Sequence, residues 1–145
     1  MTESEAKKRA LASLGQADRS SASLRRRLEQ WGFPDDVCER VVADLLTDGW
    51  LSDERYASNR AQSGLRRGWG PRRLKQDLQT QGVDAELTAV SLETLEVDWD
   101  AKALQLARQA LGRGKSPDQA ARWLAGRGFA TDVIRRALRA ADHAD

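Results

Sequence analysis

The chain is poor in the residues that build covalent or metal chemistry: one cysteine (Cys38) and one histidine (His143) in 145 residues. A lone cysteine forms no disulfide framework, and with no second Cys and no nearby His it offers neither metal-ligand spacing nor a thiol–imidazole pair. Long hydrophobic runs are missing too. The longest are a few residues, such as Leu45-Leu46 and Val41-Val42-Ala43, whereas a membrane span takes roughly 20 apolar residues. The opening Met1-Thr2-Glu3-Ser4-Glu5-Ala6-Lys7-Lys8 carries charge but no apolar stretch of the kind a secretory leader needs. The expectation is a cytoplasmic protein with no membrane partner.

Net charge is nearly absent: 24 Lys plus Arg against 22 Asp plus Glu give +2. The balance hides an uneven distribution. Six bases and no acid lie between Arg60 and Lys75, while six acids and no base lie between Asp84 and Asp100. Arginine outnumbers lysine 19 to 5, and its planar fork suits bidentate contact with phosphate or carboxylate. Such a distribution suits a partner with a charged surface.

Glycines punctuate the chain at regular intervals, and Pro34, Pro71 and Pro117 each follow such a break. Glycine past a helix end and proline at the next helix start is the expected asymmetry, since glycine accepts positive φ and proline has no N–H to leave unpaired. Between breaks the apolar spacing is helical, as in Val37, Val41 and Leu45. No stretch alternates long enough to read as a buried strand. The chain therefore reads as all-α, with about nine short helices.

A longer pattern overlies this one. Leu24-x3-Leu28-x3-Gly32-Phe33 returns as Leu74-x3-Leu78-x3-Gly82-Val83 and as Ala120-x3-Leu124-x3-Gly128-Phe129. Each copy follows an Ala/Leu helix and precedes a third helix, expected over 35–48, 85–95 and 131–141. The pattern predicts three tandem three-helix repeats, with a central repeat over 53–97 between an N-terminal one (1–52) and a C-terminal one (98–145), and with residues 1–8 frayed. Repeats of this period stack on their neighbours, so an elongated, curved array is expected. Gly32, Gly82 and Gly128 read as left-handed helix ends, after which Phe33, Val83 or Phe129 packs back.

The remaining motifs favour binding over catalysis. Gly112-Arg113-Gly114-Lys115-Ser116 ends like a phosphate loop, but Gln109 stands where the first glycine belongs and a helix precedes it; it reads as a loop between helices. Cys38 sits on an apolar helical face as a small hydrophobe, and His143 reads as frayed and solvated. No pair of carboxylates stands out for acid–base work. Trp31, Trp50 and Trp123 read as packing residues. Trp69 lies in the basic loop Arg66-Arg67-Gly68-Trp69-Gly70-Pro71-Arg72-Arg73, where it serves as a stacking anchor for a single strand or as a plug between repeats. The triplets Arg25-Arg26-Arg27, Arg72-Arg73-Lys75 and Arg135-Arg136-Arg139 lie on helices. Consecutive residues fan over about 200°, so no triplet reaches one ligand whole.

The string Leu45-x3-Gly49-Trp50-Leu51-Ser52-Asp53-x-Arg55-Tyr56-Ala57, followed by Gly70-Pro71-Arg72-Arg73-Leu74-x3-Leu78-x3-Gly82-Val83, resembles the signature of the RecX regulatory proteins, over about Leu11 to Leu138. Ser52 stands where the family has the first of two acids, and a serine there can still cap the helix. The resemblance implies three tandem three-helix repeats and a regulator, mostly an inhibitor, of the RecA recombinase, lying in the groove of the RecA–DNA filament. It implies neither catalysis nor a cofactor, and it admits contact with single-stranded and duplex DNA. The candidate contacts are Arg25, Arg26, Arg66, Arg67, Trp69, Arg72, Arg73 and Lys75. Gly32, Gly49, Asp53, Arg55, Tyr56, Gly82 and Gly128 are read as repeat architecture: an acid at a helix start, a pairing arginine, a buried ring and the breaks between helices. A monomer is expected. The alternative is a stand-alone DNA-binding protein that uses a helix pair as a helix-turn-helix, with Arg72, Lys75, Gln76 and Gln79 toward the bases.

Overall fold

A computed structural model describes residues 2–142; His143 lies outside them. Among the described residues there are nine helices and no strand: α1 (Glu3–Gln16), α2 (Ser21–Gln30), α3 (Asp35–Thr47), α4 (Asp53–Arg66), α5 (Pro71–Thr80), α6 (Ala85–Thr94), α7 (Trp99–Gly112), α8 (Pro117–Gly126) and α9 (Thr131–Asp142). Each third helix begins where the spacing predicts. The breaks are made as expected: Gly32, Gly82 and Gly128 have φ of 92°, 87° and 100°. The amides of Phe33, Val83 and Phe129 bond back to Leu28, Leu78 and Leu124, a six-to-one closure that only a left-handed turn residue allows. Pro71 and Pro117 open α5 and α8, and Pro34 immediately precedes α3.

Three hydrophobic clusters correspond to the three repeats. The first joins Ala6, Ala10, Leu24, Leu28, Phe33, Cys38, Val41, Leu45 and Leu51. The middle one is small, with Tyr56, Ala57, Leu78 and Val83. The third joins Ala103, Leu106, Ala107, Leu124, Phe129, Ile134 and Ala137, with Trp99 edge-on to Phe129 at 6.2 Å. Burying a leucine of this kind contributes about 1.5–3 kcal/mol. Alanines on the first helix of each repeat let the other two approach closely.

By compactness the chain forms two bodies: residues up to Asn59 with Leu78–Thr88, and Arg60–Asp77 with the residues from Ala89 on. The division cuts α4, α5 and α6 rather than falling between repeats.

The start of the chain differs from the expectation that residues 1–8 fray: α1 begins at Glu3. The Thr2 hydroxyl accepts from the Glu5 amide at 3.1 Å, Arg40 donates to Glu3 at 2.5 Å, and Lys7 pairs with Asp48 at 3.6 Å. Ala6 and Ala10 are fully buried, so the first turns are anchored by packing that charge composition alone does not reveal. Trp50 also departs from its expected packing role, being 63% exposed. The turn at Gly49 gives the core position to Leu51, 2% exposed, and turns the ring outward.

Candidate functional site

The second helix of every repeat begins with amides that need acceptors, and these needs shape the surroundings of the candidate residues. At α2, Ser20 accepts from the Ser23 amide at 3.1 Å. Asp53, in the first turn of α4, accepts from both the amide (2.7 Å) and the hydroxyl (2.5 Å) of Ser21. A carboxylate at a helix N-terminus also favours the helix dipole. Asp53 was expected as an acid at the start of its own helix; it is that, and it caps a helix 32 residues earlier as well. Ser52 accepts from the Arg55 amide at 3.1 Å, the capping role expected of it. Arg55, read as a pairing arginine, donates to the carbonyls of Gly49 and Trp50, both at 3.3 Å. Tyr56 is 5% exposed, the buried ring that was expected.

At α5 the corresponding acceptors are main-chain carbonyls. Gly70 N donates to Arg127 O at 2.6 Å and Arg72 N to Gly128 O at 3.0 Å. A Cβ on Gly128 would fall 2.5 Å from Arg73 N, and one on Gly70 would fall 2.6 Å from Gly128 O. The Gly112–Ser116 loop runs from the end of α7 to α8, and Ser116 caps α8 in a reciprocal pair with Gln119 (3.2 and 2.9 Å).

Arg66, Arg67, Trp69, Arg72, Arg73 and Lys75 belong to one body; Arg25 and Arg26 belong to the other. Trp69 is 9% exposed. The Arg73 guanidinium lies 4.4 Å from its ring centroid and that of Arg67 5.6 Å, so cation–π contact holds the ring as part of the packing against Gly64. Arg73 also reaches the Gly126 carbonyl at 3.5 Å, and the Arg67 carbonyl accepts from Arg127 at 2.9 Å. Arg25 pairs with Glu29 at 3.1 Å. Arg26, Arg66, Arg72 and Lys75 are exposed and form no ion pair among the described residues. These four side chains project charge outward unspent.

Cys38 is buried, and its thiol is pushed up by burial and by the charge of Glu29, which keeps it protonated and unreactive. No group of three His, Cys, Asp or Glu among the described residues could hold a metal ion, and no described helix is long and apolar enough to cross a membrane.

The repeated glycine turns, the capped second helices and the three clusters define an all-α protein of tandem three-helix repeats that carries exposed basic side chains. Two family models match it: RecX, first three-helix domain, over residues 6–45, and RecX, second three-helix domain, over residues 52–91. The regulatory protein RecX of Stenotrophomonas maltophilia (strain R551-3) is 36% identical over 90% of this chain and 83% of its own length. That of Xanthomonas campestris pv. campestris (strain B100) is 32% identical over 90% and 84%. The crystal structure of RecX from Lactobacillus salivarius superposes with a TM-score of 0.86 over 98% of this chain and 97% of that one, at 20% identity, a likeness of fold. The chain belongs to the RecX family of regulatory proteins.

Proposed function

We propose that this protein regulates the RecA recombinase, chiefly as an inhibitor, by binding the RecA–DNA filament and modulating its ATPase and strand exchange. The observation that carries this reading is family membership across 90% of the chain. The exposed, unpaired Arg26, Arg66, Arg72 and Lys75 support it, because a filament offers protein carboxylates and DNA phosphates to one ligand. Weak contacts made by one chain combine through effective concentration, so inhibition needs neither catalysis nor a cofactor. The protein acts in the cytoplasm as a monomer, in recombinational DNA repair and the SOS response.

The test is the single-stranded-DNA-dependent ATPase of RecA, titrated with this protein at a salt concentration that keeps naked-DNA binding weak. Inhibition at sub-stoichiometric protein is expected, and Arg72→Ala/Lys75→Ala should weaken it about tenfold while leaving the melting temperature unchanged. An unchanged ATPase at molar excess, with filaments intact, rejects the reading. A second reading rests on Arg72, Lys75 and Gln76, three exposed positions at the start of α5 that suit a helix-turn-helix. A stand-alone duplex binder neutralising about five phosphates should show log K falling against log salt with a slope near −4.5.

A further inference from the structure

The first two helices of each repeat enclose a groove, and the three grooves can be compared position by position. Buried Ala10, Ala61 and Ala107 mark one register on the first helices; Leu28, Leu78 and Leu124 mark another on the second. In these registers Arg9, Arg60 and Leu106 are equivalent, and so are Arg27, Asp77 and Trp123. The middle groove is closed from within: Asp77 accepts from Arg60 Nε at 2.7 Å and from Nη2 at 2.9 Å, a bidentate pair in the half-buried interior of the repeat.

The first groove has the same arginine and no acid. A cavity of about 180 Å³ is lined by Arg9, Ala12, Ser13, Gln16, Arg27 and Trp31, with Arg27 where the middle repeat has its carboxylate. The Arg9 guanidinium lies 4.3 Å from the Trp31 ring centroid, which orients its donors. Arg19 donates to Ser13 Oγ at 2.6 Å, bringing a further cation to the rim. Burial and the nearby charge of Arg27 hold the Arg19 guanidinium below its ordinary value, as expected of cations gathered without a counter-charge. The third groove differs at the first-helix position, where Leu106 replaces the arginine. Trp123 and Arg127 take the positions of Arg27 and Trp31, with the Arg127 guanidinium 5.1 Å from the Trp123 ring centroid. Gln109, Ala110, Arg113 and Lys115 complete a cavity of about 310 Å³. Neither lining contains an acid.

We propose that the groove of the first repeat is a carboxylate socket, taking an Asp or Glu side chain from an acidic segment of a partner protein. The incoming carboxylate pairs with Arg9 as Asp77 pairs with Arg60 inside the middle repeat, with Arg27 as a second cation. Two observations favour an acidic protein over a nucleic-acid strand. The arginine of this groove is already seen in a carboxylate's fork in the middle repeat, and that fork geometry is a strong charge-assisted one. The Trp31 face is covered by Arg9 rather than open to a base, and the first cavity is below the roughly 300 Å³ at which nucleotide-sized ligand pockets begin. The proposal deepens the protein-binding reading above and rests on it only for the partner being a protein.

The test uses the full chain, a fluorescein-labelled glutamate-rich peptide and a labelled oligothymidylate, read by fluorescence anisotropy at fixed ionic strength. Peptide binding is expected. Arg27→Asp builds into the first groove the closure seen in the middle one and should weaken peptide binding there about tenfold, the loss of one charge-assisted pair, with the melting temperature retained. Arg9→Gln, which adds no new charge, should act in the same direction and guards against a folding defect in the first variant. Asp77→Ala should open the middle groove and add a site. No peptide binding by the natural protein, peptide affinity unchanged in both Arg27→Asp and Arg9→Gln, or oligothymidylate binding that these variants abolish while the peptide fails to bind would each overturn the socket. RecA ATPase inhibition measured alongside separates the two readings. Peptide binding without inhibition sinks only the RecA regulator; inhibition without any peptide binding sinks only the socket.

Discussion

The joint between the first and middle repeats and the joint between the middle and third repeats meet the same need in different chemistry. Both supply acceptors to the unpaired amides at the start of a second helix. At the first joint the acceptor is the Asp53 carboxylate, and the Gln81 carbonyl receives the Ser20 hydroxyl at 2.5 Å. At the second, the equivalent carbonyl, Arg127 O, receives the amide of Gly70, which stands where the first joint has Ser20. In the third repeat, α8 caps itself through Ser116 and Gln119. A joint made of side chains leaves room between backbones and tolerates substitution piece by piece. A joint made of main chain demands direct backbone approach, and therefore glycine at both Gly70 and Gly128.

The largest effect should come from breaking the main-chain joint. Gly128→Ala places a methyl group against the Arg73 backbone at a φ of 100°. It should cost roughly 3 kcal/mol or more, a large share of a domain's stability, seen in urea unfolding. Trimming the Arg73 side chain should not restore it, because the Arg73 amide itself is in the way. Gly82→Ala is the matched change at the first joint. It has a similar φ, but its obstacle is the Ala22 methyl. The cost should be smaller, about 2 kcal/mol, and Ala22→Gly should recover part of it in a double-mutant cycle; equal costs at 82 and 128 with no recovery would erase the distinction between joints. Asp53→Ala should come last, at about 1–2 kcal/mol, with Asp53→Asn losing less because its amide oxygen still accepts one of the two bonds.

Much of this architecture could be read before any coordinates. The repeated Leu-x3-Leu-x3-Gly string located the second helix of each repeat and its left-handed stop, since both follow from local backbone sterics and helical periodicity. The family signature was equally visible, as was the concentration of arginine around Trp69. Contacts between distant residues were not. Asp53 reads as an ordinary helix-start acid, and nothing within a few residues of it indicates that Ser21 is its main recipient. Trp69 sits in a string that could equally offer or bury its ring; the close approach of Gly64 and the stacking of Arg73 bury it. Trp50, next to Leu51 in a turn, points outward because only one of two adjacent large residues can face the core.

The grooves show the same boundary at finer grain. The sequence carries Arg9, Arg60 and Asp77, but the spacing of the repeated string sets Arg60 against Ala10, and only the burial of Ala10 and Ala61 aligns Arg60 with Arg9. Whether an arginine meets a carboxylate or stands open depends on which side chains two separate helices bring face to face. Helix positions, stops and the three-fold repeat were set by interactions spanning a few residues, which any local stretch of chain contains. The capping of one repeat by the next, the backbone approach at Gly128, and the open or closed state of each groove arise from contacts 17 to 61 residues apart, and these exist only once the helices have packed.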